Sequence, residues 1–204
     1  GTTMGGFFAG ATYGSNNGGF VTFENIYMGA RMGAADATGT DTIKIRGVQQ
    51  LHGGTYAAIP DQIEAGTYMA AAVATGGNVL VRNVIPKHME CITTRLREMG
   101  AKITEYDDAI RVQASFPLRR ITVKTMPYPG FPTDMQAQIC VCMVLATGVS
   151  RLTESVYETR FFGYCSELEN MGAKIKVDGK TANVTGMGER KLKGTTVHAK
   201  DLRA

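Results

Sequence analysis

Apolar residues recur along this chain with two periods, helical and alternating, and the order of those periods itself repeats. Cys91-Ile92-Thr93-Thr94-Arg95-Leu96-Arg97-Glu98 and Tyr164-Cys165-Ser166-Glu167-Leu168-Glu169-Asn170 have the spacing of amphipathic helices. Each runs into Met-Gly-Ala, at Met99 and Met171, which puts a glycine where a helix C-cap favours left-handed backbone. Short extended pairs follow: Lys102–Thr104 with Ile110–Val112, and Lys174–Val177 with Ala182–Thr185. The turns between them hold Asp107-Asp108 and Asp178-Gly179, which suit hairpins.

The preceding halves match as well. Pro60-Asp61 opens a predicted helix over Gln62 to Ala74, followed by Thr75-Gly76-Gly77 and a predicted strand over Asn78 to Val84. Thr133-Asp134 opens a predicted helix over Met135 to Ala146, followed by Thr147-Gly148 and a strand over Ser150 to Val156. The unit reads β-α-β-α-β-β with a period of about 70 residues. Copies cover roughly 55–117 and 121–186, and Lys200-Asp201-Leu202-Arg203 begins a third at 199–204. Such a unit cannot bury its sheet alone. The expected fold is therefore α/β, with several small sheets around buried helices.

An earlier copy is defective. Thr22-Phe23-Glu24-Asn25-Ile26-Tyr27 matches the strand but runs straight into Met28-Gly29-Ala30, so a whole helix is missing. Residues 1–19 are too short and glycine-rich to supply the helix before it, and the sequence stops at Ala204, on the threshold of another. The expectation is that 1–38 is an eroded remnant of a preceding repeat or domain, that 39–204 is the main domain, and that the chain is a shortened version of a longer protein.

Composition narrows the class. With 204 residues, 44% of them hydrophobic, the chain can bury a real core. The formal charge of +4 is spread along the sequence, without a basic run interleaved with aromatics, which counts against nucleic acid as the main partner. No apolar run is long enough to span a membrane, and the first residues, without a basic stretch before an apolar one, are not expected to be a signal peptide. Cys91, Cys140, Cys142 and Cys165 lack zinc-ligand spacing; Cys140 and Cys142 read as small buried hydrophobes. His88 and Cys91 supply only two potential ligands, so no metal site is expected, nor any organic cofactor. A reducing cytoplasm is the expected compartment.

The densest local information lies in Tyr128-Pro129-Gly130-Phe131-Pro132-Thr133-Asp134-Met135-Gln136-Ala137-Gln138. Two prolines, a glycine and two aromatics make a stiff loop ending at an acid. Asp134 can cap the following helix. It can equally be a carboxylate aimed at a substrate.

These residues resemble the enolpyruvyl transferases, in particular the UDP-N-acetylglucosamine 1-carboxyvinyltransferase family. The resemblance rests on Gly39–Ile43, Ile59–Thr67, the proline-rich run, Thr153–Phe161 and Ala199–Ala204. It implies an inside-out α/β barrel built from these repeats, with the active site between two domains. It also implies transfer of the enolpyruvyl group of phosphoenolpyruvate to the 3-hydroxyl of UDP-N-acetylglucosamine, with release of phosphate, at the first committed step of peptidoglycan precursor synthesis. Asp134 then matches the acid that contacts the attacking hydroxyl, and Val156 a position whose backbone meets the nucleotide sugar. Asp201 and Arg203 match a stretch near the phosphoenolpyruvate site. Asp61 occupies the equivalent helix start, where capping is the expected role, and Glu158 with Arg160 is expected to form an ion pair near the sugar-nucleotide pocket.

Departures from the family pattern also carry information. The arginine usual after Pro-Asp is Gln62, the asparagine usual before Arg160 is Thr159, and no cysteine has the Gly-rich, Arg-Pro surroundings of the proton-donating loop. The expectation is that this chain alone is inactive and that a second chain or a missing domain completes the cleft. The alternative is a non-catalytic relative that binds the nucleotide sugar or a partner without turnover.

Overall fold

A computed structural model describes residues 20–23, 54–157, 159–188 and 192–199. Contacts divide the chain into two units, Gly1–Pro60 and Asp61–Ala204. In the first, β1 (Phe20–Phe23) and β2 (Gly54–Ala57) pair antiparallel, with Phe20 opposite Ala57.

The second unit holds two copies of the repeat. Helix α1 (Gln62–Ala74) has the predicted bounds because its ends carry explicit signals. Asp61 accepts the N–H groups of Ile63 at 2.7 Å and Glu64 at 3.3 Å, and Gly76 turns the chain out at φ +63°. Then come β3 (Asn78–Arg82), a 3₁₀ turn (Pro86–Met89), α2 (Glu90–Glu98), β4 (Lys102–Glu105) and β5 (Ala109–Gln113). These strands form an antiparallel sheet in the order β3-β5-β4. Strand β3 stops short of Val84 because Asn83 adopts φ +54°.

The second copy begins with β6 (Leu118–Arg119) and β7 (Thr122–Lys124). A 3₁₀ turn (Thr133–Met135) leads into α3 (Gln136–Val144), followed by β8 (Ala146–Thr147), β9 (Val149–Thr153), α4 (Phe161–Asn170), β10 (Lys174–Asp178) and β11 (Thr181–Thr185). Its sheet runs β10-β11-β9-β7, with β7 and β9 parallel across α3. The helix expected to reach Ala146 ends at Val144, because Ala146 pairs with Leu118 in the short parallel β6–β8 ladder.

Both Met-Gly-Ala motifs close their helices alike. Gly100 and Gly172 sit at φ +107° and +98°. The N–H groups of Ala101 and Ala173 reach back to the carbonyls of Leu96 and Leu168, each at 3.0 Å.

One hydrophobic core joins the two copies, and α1 packs against α3 within it. Met69, Val73, Ile139, Cys140, Cys142, Met143 and Leu152 are fully or almost fully buried. Cys142 donates its thiol to the Ala70 carbonyl at 3.4 Å, and burial pushes its pKa up to about 12. That is the small-hydrophobe behaviour its neighbours predict. Among the described residues no helix is long and apolar enough to cross a membrane.

Candidate active site

The proline-rich loop is fastened at both ends. Thr125 and Phe131 form a parallel bridge, and the Met126 N–H reaches the Phe131 carbonyl at 2.9 Å. Between them the Gly130 N–H closes onto the Pro127 carbonyl at 2.9 Å. A Cβ at Gly130 would lie 2.5 Å from the Met126 Cβ, so the turn has room only for glycine. The Tyr128–Pro129 peptide is cis. Phe131 is buried and anchors the loop, while Met126 and Tyr128 stay exposed.

Asp134 does not occupy the helix-capping position that its place in the sequence allows. It is the middle residue of the 3₁₀ turn, and neither that turn nor α3 has a side-chain cap on its first residue. Its Oδ1 instead receives Arg160 Nη1 at 2.8 Å. The Asp134 side chain is 40% exposed and that of Arg160 only 10%, so the arginine backs the acid from inside. Arg160 also donates to the Thr133 hydroxyl at 3.1 Å and lies 5.8 Å from the centre of the Tyr157 ring, within cation–π reach. A bridge from loop to bend thus replaces the cap.

Beneath this pair is a residue that the sequence reading missed. Glu154 is completely buried. Its Oε1 accepts the Thr125 hydroxyl at 2.6 Å and the N–H groups of Val156 and Tyr157 at 2.7 and 2.8 Å. Its Oε2 accepts the Thr133 hydroxyl at 2.9 Å and Gln136 Nε2 at 2.6 Å. Burial acts to raise the Glu154 pKa, but the Thr125 hydroxyl, the Tyr157 and Val156 N–H groups and the Thr133 hydroxyl outweigh it. The net result is a carboxylate held below its ordinary range, charged in the interior. The bend also explains why β9 ends at Thr153 instead of running to Val156: Glu154 folds the Val156 and Tyr157 amides back onto itself. Ser155 fastens the same bend to Thr125, its N–H meeting the Thr125 hydroxyl at 3.0 Å and its hydroxyl the Thr125 carbonyl. A signal was present in the sequence. In Ser150-Arg151-Leu152-Thr153-Glu154 the alternation puts Glu154 on the inward side with Ser150 and Leu152, where a carboxylate must find donors.

The remaining predicted residues divide. Val156 is exposed beside Tyr157 on the bend, and its N–H is taken by Glu154. Asp61 caps α1, as expected. Glu158, Asp201 and Arg203 lie outside the described residues. The structure therefore brings together Asp134, Arg160 and Val156, and adds Thr133, Glu154 and Gln136. An open depression of about 450 Å³ lies elsewhere, on the outer face of the four-stranded sheet. Arg120, Arg151, Thr122 and Asn183 line it, and among the described residues none of the predicted site residues borders it.

A fold of small sheets around shared helices, with an acid presented by a stiff loop, defines a class that comparison with known proteins identifies. Residues 26–204 match the family described as EPSP synthase (3-phosphoshikimate 1-carboxyvinyltransferase), and the chain belongs to that family. It is 55% identical over 176 residues to UDP-N-acetylglucosamine 1-carboxyvinyltransferase 3 of Caldanaerobacter subterraneus subsp. tengcongensis, covering 86% of this chain and 41% of that protein. It is 51% identical over 178 residues to the UDP-N-acetylglucosamine 1-carboxyvinyltransferase of Desulfofundulus thermocisternus, covering 87% and 71%. The enolpyruvyl transferase NikO from Streptomyces tendae superposes with a TM-score of 0.63 at 27% identity, over 71% of this chain and 34% of that one. EPSP synthase from Acinetobacter baumannii, at 20% identity and a TM-score of 0.51 over 67% and 31% of the two chains, shares the fold. The chain spans 41% of the length of several of the curated relatives it matches.

Proposed function

We propose that this chain carries the nucleotide-sugar side of an enolpyruvyl transferase. The reaction is transfer of the enolpyruvyl group from phosphoenolpyruvate to the 3-hydroxyl of UDP-N-acetylglucosamine. The observation that carries the reading is the placement of Asp134: a partly exposed carboxylate on a loop fastened at both ends, held by an arginine whose side chain is only 10% exposed. The names and identities of the relatives support the substrate pair.

A sugar hydroxyl is a weak nucleophile and needs a base within hydrogen-bond reach. Asp134 accepts its proton as the oxygen adds to C2 of phosphoenolpyruvate, while the methylene carbon takes up a proton from a general acid on the domain or chain that completes the cleft. The tetrahedral product then loses a proton from that carbon and expels phosphate. Arg160 holds the carboxylate in one orientation, so little reorganisation accompanies the proton transfer. The Val156 N–H is engaged by Glu154, so the nucleotide sugar meets the Val156 carbonyl. Asp201 and Arg203 belong to the phosphoenolpyruvate side. In this reading the repeats form part of an inside-out α/β barrel, a second domain or chain completes the cleft, 39–204 is the domain proper, and the protein works in the cytoplasm.

Phosphate release with both substrates, measured in the protein with its cleft completed, together with calorimetry of UDP-N-acetylglucosamine, tests the proposal. Asp134→Ala is expected to slow release by roughly 10²–10⁴-fold while binding changes by a few-fold at most. Wild-type turnover in that variant would remove Asp134 from the mechanism.

A further inference from the structure

We infer that Glu154 is the positioning residue of this site, a buried carboxylate that orients Asp134 through Thr133 and Arg160. The inference rests on the reading of Asp134 as the base.

Four segments converge on Glu154: the end of β7 through Thr125, the end of the stiff loop through Thr133, the first residue of α3 through Gln136, and the bend through Val156 and Tyr157. An ionised carboxylate only accepts hydrogen bonds. Thr133 has one hydroxyl proton and must spend it on Glu154 Oε2. Its oxygen is thereby left to accept from Arg160, at 3.1 Å. The same Arg160 nitrogen holds Asp134 at 2.8 Å. The charge on Glu154 thus fixes a direction of donation that runs from Arg160 to Thr133 to Glu154 and leaves Arg160 aimed at the acid. Gln136 obeys the same rule. Its amide nitrogen faces Glu154, and its buried oxygen has no hydrogen-bond partner among the described residues, an orientation that only an acceptor on the other side would hold.

The two carboxylate oxygens divide the work. Oε1 gathers the bend and the β7 end, which is scaffold. Oε2 gathers Thr133 and Gln136, which lead to Asp134. An isosteric Glu154→Gln change can keep the first set with its carbonyl oxygen. Its amide nitrogen reverses the second, turning Thr133 into an acceptor from residue 154 and freeing its proton to oppose Arg160.

The experiment measures, in the protein with its cleft completed by the second domain or chain, phosphate release, UDP-N-acetylglucosamine affinity and the ¹⁵N-arginine spectrum for wild type, Glu154→Gln, Thr133→Val, Thr133→Ser, Asp134→Asn and the Glu154→Gln/Asp134→Asn double variant. Glu154→Gln and Thr133→Val are each expected to lower kcat by roughly 10–100-fold, with nucleotide-sugar affinity within a few-fold of wild type. Thr133→Ser, which keeps the hydroxyl, restores turnover. Added to Asp134→Asn, Glu154→Gln should give no further loss, because both act on one group. Wild-type kcat in Glu154→Gln and Thr133→Val, or full additivity with Asp134→Asn, would overturn the inference. Absence of binding and turnover in the wild type would sink the function and leave the geometry to the Arg160 guanidinium signal. Slow guanidinium exchange, lost in both Thr133→Val and Glu154→Gln, supports the relay; its retention in either refutes it.

Discussion

The two repeats bring the same strand end to different chemistry. In the first copy the Val84 N–H pairs with the Asp108 carbonyl at 3.0 Å as the chain leaves β3, and its buried side chain joins the core. In the second copy the Glu154 N–H pairs with the Lys180 carbonyl at 2.8 Å as the chain leaves β9, and a carboxylate occupies the interior. The helix starts diverge in parallel. Asp61 stands directly before α1 and caps it, whereas a 3₁₀ turn carries Asp134 past the capping position, where Arg160 takes it up. A scaffold position satisfied by valine needs only contacts. One filled by glutamate needs donors, and those donors are the residues that fasten the site loop.

This contrast can be broken most forcefully by giving the second copy the residue of the first. Glu154→Val leaves the Thr125 and Thr133 hydroxyls, Gln136 and two backbone amides without their acceptor, and is expected to cost about 3–5 kcal/mol in urea unfolding. A loss below about 1 kcal/mol would mean that the two strand ends are interchangeable.

Acid offers a gentler version of the same change. The Glu154 pKa is lowered in the fold, so its contribution is complete above the unfolded glutamate value of about 4.3 and disappears as pH falls through the lower folded value. Stability measured from pH 5 downward should therefore fall more steeply in wild type than in Glu154→Gln. Parallel curves would count against a charged Glu154.

Asp61→Ala sharpens the comparison from the other side. Loss of the cap should cost about 1 kcal/mol and leave nucleotide-sugar affinity unchanged. A tenfold loss of affinity would make Asp61 more than a cap.

Gly66→Ala has an equally small expected effect on stability. Its Cβ would meet Ile92 Cδ1 and Met135 Sδ, each at 2.9 Å. Both atoms end flexible side chains, so a repacking cost of roughly 1–3 kcal/mol is set against a helix-propensity gain of about 1 kcal/mol. A net loss of about 1 kcal/mol is expected in urea unfolding, with a larger proportional fall in turnover.

Much of the scaffold was legible because its signals are local. The bounds of α1 follow from Asp61 and Thr75-Gly76, and the paired hairpins from alternation and turn residues. The site was legible only in part. The proline-rich run pointed to Asp134, and the resemblance to Val156 and Arg160. Glu158, the expected partner of Arg160, lies outside the described residues; the described partners, Asp134 and Thr133, come from the far end of the loop and were not foreseen. Glu154 escaped notice because a charged residue at a strand end reads as solvent-facing. Only the tertiary gathering of hydroxyl, amide and backbone donors makes its burial tolerable. The missing cap on α3 has the same origin, since nothing near Asp134 in sequence announces the arginine that claims it.

The bare surface of Gly66 acquires another meaning from this arrangement. It lies in the first repeat, yet the atom it accommodates is the sulfur of Met135, the residue that follows Asp134. The duplicated unit that has no acid to present thus acts as the gauge against which its neighbour's acid is set. A mutational scan for function should light up along α1, and its brightest point there should be a residue with no side chain at all.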